Sequence, residues 1–239
     1  MKPIIVTAAT FRELSLLAER IGTPRQSASL PFLVHEGRIG QRSVVLAVTG
    51  IGKVNTAACC TYLLENYTPR LLVSTGCAGA FAGSGLAVGE LALASSEVFG
   101  DEGVLTPAGW ESLDHIGLPL VERGGRAFFN ELPLSLTATA RAMQLAAALS
   151  LPVRRGRFLT VSTCSGTAAR GEELESRFHA ICENMEGAAA AQVALLYGVE
   201  CLEVRGVSNL VEDRDLSRWD IPLAVEQAQR FLFKFIETL

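Results

Sequence analysis

The chain alternates between two kinds of segment, and that alternation limits the folds open to it. Apolar runs of strand length occupy 4–8, 43–48, 70–75, 88–98, 157–162 and 199–208. Between most of them lie segments whose apolar residues recur at helical spacing. In 135–149, Leu136, Ala140, Met143 and Ala147 are expected on one face; in 221–236, Ala224, Ala228, Phe231, Leu232, Phe235 and Ile236. Strands that alternate with helices predict an α/β fold with a mostly parallel twisted sheet, and ligands in such sheets gather beyond the carboxyl ends of the strands. A further strand pair is expected over 30–35 and 43–48, turning at Gly37-Arg38-Ile39-Gly40. With 239 residues, 49% of them hydrophobic and 19% charged, the chain suffices for one domain spanning 1–239 with a substantial core.

Composition removes several functional classes. A net charge of -4 offers no electrostatic reason to bind nucleic acid or an anionic membrane. No apolar run reaches the ~18 residues of a spanning helix, and the first residues read as a strand rather than a leader. The six cysteines include no CxxC pair and read as reduced thiols of a cytoplasmic protein. The three histidines lie far apart in sequence, so no metal or other cofactor is expected.

Four stretches carry polar residues where strands meet helices. Thr10 and Glu13, just after the first strand, form a capping-box pattern; the same carboxylate at the sheet's carboxyl edge can also serve chemistry, provided it turns away from the cap. Thr49-Gly50-Ile51-Gly52 opens a helix over 53–65. It lacks the full spacing of a phosphate loop, so close backbone packing is the expected reason for its glycines. Gly76-Cys77-Ala78-Gly79 ends a strand in small residues that let a flat ligand lie against the backbone. Finally, Asn184 can cap the helix that begins at the alanine run 188–191, leaving Glu186 at the positive end of its dipole, while 199–208 runs into Arg205-Gly206-Val207-Ser208-Asn209. Residues 100–133, rich in Gly and Pro, are expected to form a long functional loop, a subunit contact, or both.

On Gly50-Ile51-Gly52-Lys53-Val54, Ser74-Thr75-Gly76-Cys77-Ala78-Gly79, Asn184-Met185-Glu186 and Val204-Arg205-Gly206-Val207-Ser208-Asn209, the chain resembles the nucleoside phosphorylase and nucleosidase family. It is similar to the 5′-methylthioadenosine/S-adenosylhomocysteine nucleosidases over nearly its whole length. The resemblance implies a three-layer αβα fold around a central, mostly parallel mixed sheet, a small nucleoside as substrate, and a homodimer or higher homo-oligomer. It implies that Glu13 activates the attacking water and Arg205 helps position it. Glu186 would hold the ribose hydroxyls with Met185 against the sugar, and Asn209 would face the purine with Trp219 flanking it. Asn184 and Ser208 would border the same substrate. Cys77 stands where those nucleosidases carry a serine near the water, with Ala78 and Gly79 beside it under the ligand. Gly166 and Thr167 replace a bulky pair at the base, so base stacking is expected to differ. The resemblance also implies a substrate with an acidic aromatic tail, for which Arg123, Arg126, Phe128 and Phe129 in the 100–133 segment are the candidates.

Hydrolysis is favoured over phosphorolysis because the first turn, Thr7-Ala8-Ala9-Thr10, offers neither glycine nor arginine to a phosphate and is followed by a carboxylate. A nucleoside-binding regulator that lost the chemistry is the non-enzymatic alternative. Asn209 stands where adenosine nucleosidases carry aspartate. An amide donates to O6 and accepts from N7–H, so a 6-oxopurine is the expected base.

Overall fold

The computed structural model describes residues 2–21, 25–26 and 32–239. In chain order they form β1 (Ile4–Ala8), α1 (Ser15–Arg20), β2 (Arg25–Gln26), β3 (Leu33–Ile39), β4 (Arg42–Val48), α2 (Lys53–Asn66), β5 (Leu71–Ala80), β6 (Leu91–Phe99), β7 (Val104–Thr106), β8 (Gly109–Glu111), β9 (Val121–Arg123), β10 (Arg126–Phe128), β11 (Glu131–Pro133), α3 (Leu136–Ala148), β12 (Val153–Thr160), α4 (Ala168–Phe178), β13 (Ala180–Asn184), α5 (Gly187–Tyr197), β14 (Cys201–Leu210) and α6 (Ile221–Thr238).

A ten-stranded mixed sheet joins most of these strands. β1 lies between β4 and β5, parallel to both, and all five of its residues are buried, as expected of a strand covered on both faces. β14 pairs with β5 in parallel and with β6 antiparallel. β13 pairs with β12 in parallel and with β5 antiparallel, and β12 runs parallel to β6. The strands β5, β13, β12, β6 and β14 therefore close a circuit, and β5 has a different neighbour on each side at its carboxyl end.

Helices cover both faces, giving the expected three layers. On one side α2 and α5 pack through Cys59, Cys60, Leu63 and the alanines of α5. Those alanines lack bulk, which lets α5 lie close to the sheet. On the other side, α1, α3 and α6 bury Leu17, Ala142, Phe231, Leu232, Phe235 and Ile236. The expected face of α6 is the buried one. That of α3 is not: Ala138, Thr139, Ala142 and Ala146 are buried, whereas Leu136 is 72% exposed. The small side chains face the sheet because they permit the closer approach. α4 closes one end of the circuit, where Leu174 and Phe178 meet Phe81, Val98 and Val211.

Three further segments depart from expectation. The strand expected from residue 30 begins at Leu33, with 30 and 31 outside the described residues, and Gly37-Arg38-Ile39 continue it. The turn falls at Gly40, whose φ of 56° suits glycine. Residues 100–133 are not one long loop: β7 and β8 form a hairpin, as do β9 and β10, and β11 joins the main sheet beside β6. Gly124 and Gly125, at φ 56° and 73°, make the two-residue turn between β9 and β10. α4 and β13 occupy a stretch whose polar character hid both, since only Leu174 and Phe178 mark the buried stripe of α4 among its larger side chains.

No helix among the described residues is long and apolar enough to cross a membrane.

Candidate active site

β1 ends in a 3-10 turn that carries Glu13, 7% exposed, back beneath Thr10. Its Oε2 accepts from the Thr10 N–H and the Thr10 hydroxyl, both at 2.9 Å. Its Oε1 accepts from the Cys77 N–H at 3.1 Å. The carboxylate therefore caps its turn with one oxygen and presents the other to β5, without turning away from the cap. Gly76 makes this possible. A Cβ there would lie 2.4 Å from Glu13 Oε1 and 3.0 Å from Arg205 Nη1, and its φ of 141° also favours glycine.

Glu186 stands at the start of α5, where helix N–H groups favour negative charge. Asn184 caps this corner, its Oδ1 accepting from Glu186 N at 2.9 Å and Gly187 N at 2.7 Å. Across the cleft, Gly52 N donates to Glu186 Oε1 at 2.9 Å. Gly50 and Gly52 adopt φ of 85° and 91°. The turn before α2 thus uses its glycines to aim a backbone donor at a carboxylate; it is not merely a site of close packing.

Arg205 lies between the two carboxylates, 1% exposed on β14. Its Nη1 reaches Glu186 Oε2 at 3.4 Å and the Cys77 carbonyl at 3.3 Å, and its Nε donates to Glu203 Oε1 at 2.8 Å. Burial opposes its charge, but Glu203, Glu186 and Glu13 outweigh that and raise its pKa above the ordinary value. Beneath it lies a polar layer that sequence reasoning missed. Glu97 and Glu203 are both fully buried with their carboxyls close together beside Gly187, and Glu203 Oε2 has no hydrogen-bond partner among the described residues; burial first, then Glu203, pushes Glu97 well above the usual carboxylate range. Thr160 and Asn184 donate to Glu97, each at 2.7 Å. Gly187 leaves room for the pair, since a Cβ would lie 2.1 Å from Glu97 Oε1 and 2.2 Å from Glu203 Oε2. The available signal was a lone glutamate inside each of two apolar strands.

At the far end of the cleft, Ser208 Oγ donates to Asn209 Oδ1 at 2.7 Å, and Asn209 Nδ2 donates to the Leu210 carbonyl at 3.0 Å. The Asn209 amide is thereby oriented, with one N–H and one oxygen lone pair unused among the described residues. Trp219 lies beside this end, with the Arg214 guanidinium 4.9 Å from its ring centre.

These groups surround a cavity of about 210 Å³ lined by Glu13, Cys77, Ala78, Gly79, Asn184, Met185, Glu186, Arg205, Ser208, Asn209 and Trp219, together with Ile51, Cys164, Ser165 and Glu183. Burial, then Glu13, pushes the Cys77 thiol up to about 11, so it is no thiolate nucleophile at neutral pH. Gly166 and Thr167 are not among the lining residues. Among the described residues nothing lies within 4 Å of a Cβ built on Gly166, and the Thr167 hydroxyl caps α4 by accepting from Arg170 N at 3.2 Å. Cys164 and Ser165, just before them, face the cavity instead.

Arg123, Arg126, Phe128 and Phe129 also lie elsewhere. Arg123 donates to the carbonyls of Leu195 and Leu196 at the end of α5, at 2.7 and 2.8 Å. The other three line a separate groove of about 840 Å³ with Trp110, Arg157 and Arg177, and it shares no lining residue with the cavity. The hairpins of 100–133 turn these side chains toward β6 and α4.

Chemically, the cavity offers a hydrogen-bonded carboxylate at one end, a second carboxylate and an arginine in the middle, and an oriented amide at the other. The chain is 39% identical over 189 residues to a futalosine hydrolase of Thermus thermophilus, covering 79% of this chain and 78% of that protein. It is 31% identical over 209 residues to a 5′-methylthioadenosine/S-adenosylhomocysteine nucleosidase of Maridesulfovibrio salexigens, covering 87% and 86%. Among solved structures, the Neisseria meningitidis nucleosidase of that name, in complex with methylthio-immucillin-A, superposes with a TM-score of 0.86 at 20% identity over the full length of both chains. A futalosine hydrolase of Helicobacter pylori gives 0.85 at 22%, covering 100% of this chain and 98% of that one. At those identities the superpositions show the fold. The phosphorylase superfamily matches residues 3–239, and the chain belongs to it.

Proposed function

We propose that this protein is an N-ribosyl hydrolase that cleaves futalosine, releasing hypoxanthine and leaving dehypoxanthine futalosine for menaquinone synthesis. The observation that carries the choice of base is the oriented amide of Asn209 at the end of the cavity. As the glycosidic bond of a 6-oxopurine nucleoside breaks, O6 remains an acceptor and N7 becomes a donor. The free N–H of Asn209 serves the first and its free lone pair the second. A 6-amino base would set its exocyclic donor against that N–H, a mismatch costing about 1–3 kcal/mol, or roughly ten- to a hundredfold in rate. The 39% identity to a protein of that name supports the same substrate. The amide has no proton to give, so N7 takes its proton from water.

The remaining groups divide the other tasks. Glu13 Oε1 takes a proton from the attacking water as it adds to C1′. Glu186 accepts from the ribose hydroxyls while Gly52 N and Arg205 hold it in place. The positive charge that builds on the sugar is met by these carboxylates. A phosphate nucleophile is disfavoured because Arg205, the buried cation of the cavity, is already engaged by Glu203 and Glu186.

The second reading is a 5′-methylthioadenosine/S-adenosylhomocysteine nucleosidase, favoured by the 31% identity to a protein so named. A panel of purine nucleosides, incubated with and without phosphate and assayed for free base, separates the readings. Futalosine hydrolysis gives hypoxanthine at a rate independent of phosphate. Adenine alone would favour the second reading, base release only with phosphate would indicate a phosphorylase, and binding without release a non-enzymatic protein.

A further inference from the structure

The cavity contains a third carboxylate that neither water activation nor ribose binding employs. Glu183 is 6% exposed and lies on β13, with Ser165 N donating to its Oε1 at 2.9 Å and Ser165 Oγ to its Oε2 at 2.7 Å. Its place in the sheet is informative. β5 is paired with β13 on one side and β14 on the other, and Gly79 is the register partner of Glu183 in the first pairing and of Asn209 in the second. Residues in register project from the same face of a sheet, and all three line the cavity. A Cβ on Gly79 would lie 3.0 Å from Val211 Cγ2, 3.2 Å from Asn209 Nδ2 and 3.6 Å from Glu183 Cγ. Gly79 thus lets an amide and a carboxylate from the two neighbouring strands approach each other beside a Val211 methyl.

A 6-oxopurine presents three polar groups in sequence along one edge: N7, O6 and N1–H. Asn209 answers the first two. The third is a donor, and on the other side of Gly79 from Asn209 stands an acceptor whose orientation Ser165 fixes. We propose that Glu183 is a specificity-determining residue that accepts the hydrogen bond from N1–H of a 6-oxopurine, so that the base is read from both sides of Gly79. In a 6-aminopurine N1 is itself an acceptor, and two acceptors would then face each other in a buried site. Burial holds the Glu183 carboxyl above its ordinary value although the two Ser165 donors, Arg170 and Arg214 oppose that; each carboxyl oxygen accepts from Ser165 and keeps a further lone pair for N1–H. This inference rests on the 6-oxopurine reading above and adds a second determinant to it.

The test compares kcat/KM for futalosine and its 6-amino counterpart in the wild type, Glu183→Gln and Ser165→Ala. The glutamine amide can donate to the N1 of the 6-amino base. Glu183→Gln should therefore lower the rate on the 6-oxo substrate and raise it on the 6-amino one, narrowing the ratio by about tenfold or more. Ser165→Ala loosens the loop but leaves the acceptor, so both rates should fall together. If Glu183 only anchors Ser165, the glutamine variant will also lower both rates alike and keep the wild-type ratio, which overturns the inference and leaves the reading intact. A wild type that prefers the 6-amino substrate overturns both.

Discussion

Glu13 shows how one side chain can serve a local and a distant purpose at once. Its capping role was visible in the spacing of Thr10 and Glu13, yet the sequence suggested that capping and chemistry compete. The structure gives each oxygen a separate set of donors. Glu13→Gln retains one acceptor oxygen and the side-chain volume, so stability should fall by only about 1 kcal/mol. Turnover should fall on the order of a hundredfold or more, because the base is gone. Circular dichroism melting alongside steady-state rates checks both; near-normal turnover would leave Glu13 a structural cap alone. Asn209→Asp addresses the other end of the cavity. A carboxylate there accepts from both the exocyclic amine and N7–H of a 6-amino base, so relative kcat/KM should shift toward that nucleoside by at least about tenfold. An unchanged ratio would mean that Asn209 serves only the Ser208–Leu210 turn. Most of the residues singled out from sequence converge on one cavity because each ends a strand or begins a helix at the same edge. Gly166 and Thr167 do not, since a helix start claims the Thr167 hydroxyl, which the sequence did not reveal.

The elements that escaped sequence reading did so for a common reason: their significance lies in neighbours remote along the chain. β13 has five residues and little apolar signature, yet it supplies Glu183 and Asn184 and turns β5 into a branch point. Glu97 on β6 and Glu203 on β14 are 106 residues apart in sequence, and the closing of the strand circuit brings their carboxyls together beside Gly187 at the start of α5. That pair makes a pH prediction. Glu97 has a folded pKa above its ordinary value of 4.5, so the folded state keeps a proton that the unfolded state releases. Its contribution is full below about 4.5 and is lost as pH rises toward the folded value, by at most about 1.4 kcal/mol per pH unit. Glu97→Gln keeps the side-chain volume but does not titrate. Its stability relative to wild type in urea should therefore rise between pH 5 and pH 8. Parallel pH profiles for the two proteins would show that Glu97 is ionised in the folded state.

At the scale of the whole molecule, the closed circuit of five strands explains why one cavity suffices. β5 leaves the layered sheet between β1 and β14, then meets β13 at its carboxyl end, so the residues flanking Gly79 come from two different strands. The layered α/β architecture was legible from the alternation of strands and helices. The circuit was not, because strand order is set by crossovers rather than by local pattern. The hairpins of 100–133 were likewise hidden by their Gly and Pro content, and they build a second groove away from the cavity. The central claim is that this framework holds a phosphate-independent hydrolase selective for a 6-oxopurine. An equimolar mixture of futalosine and its 6-amino counterpart, incubated with the wild type in phosphate-free buffer, tests it directly when the released bases are separated by chromatography. Hypoxanthine should appear first and exceed adenine by about ten- to a hundredfold in initial rate; equal release of the two bases, or an excess of adenine, would contradict the account.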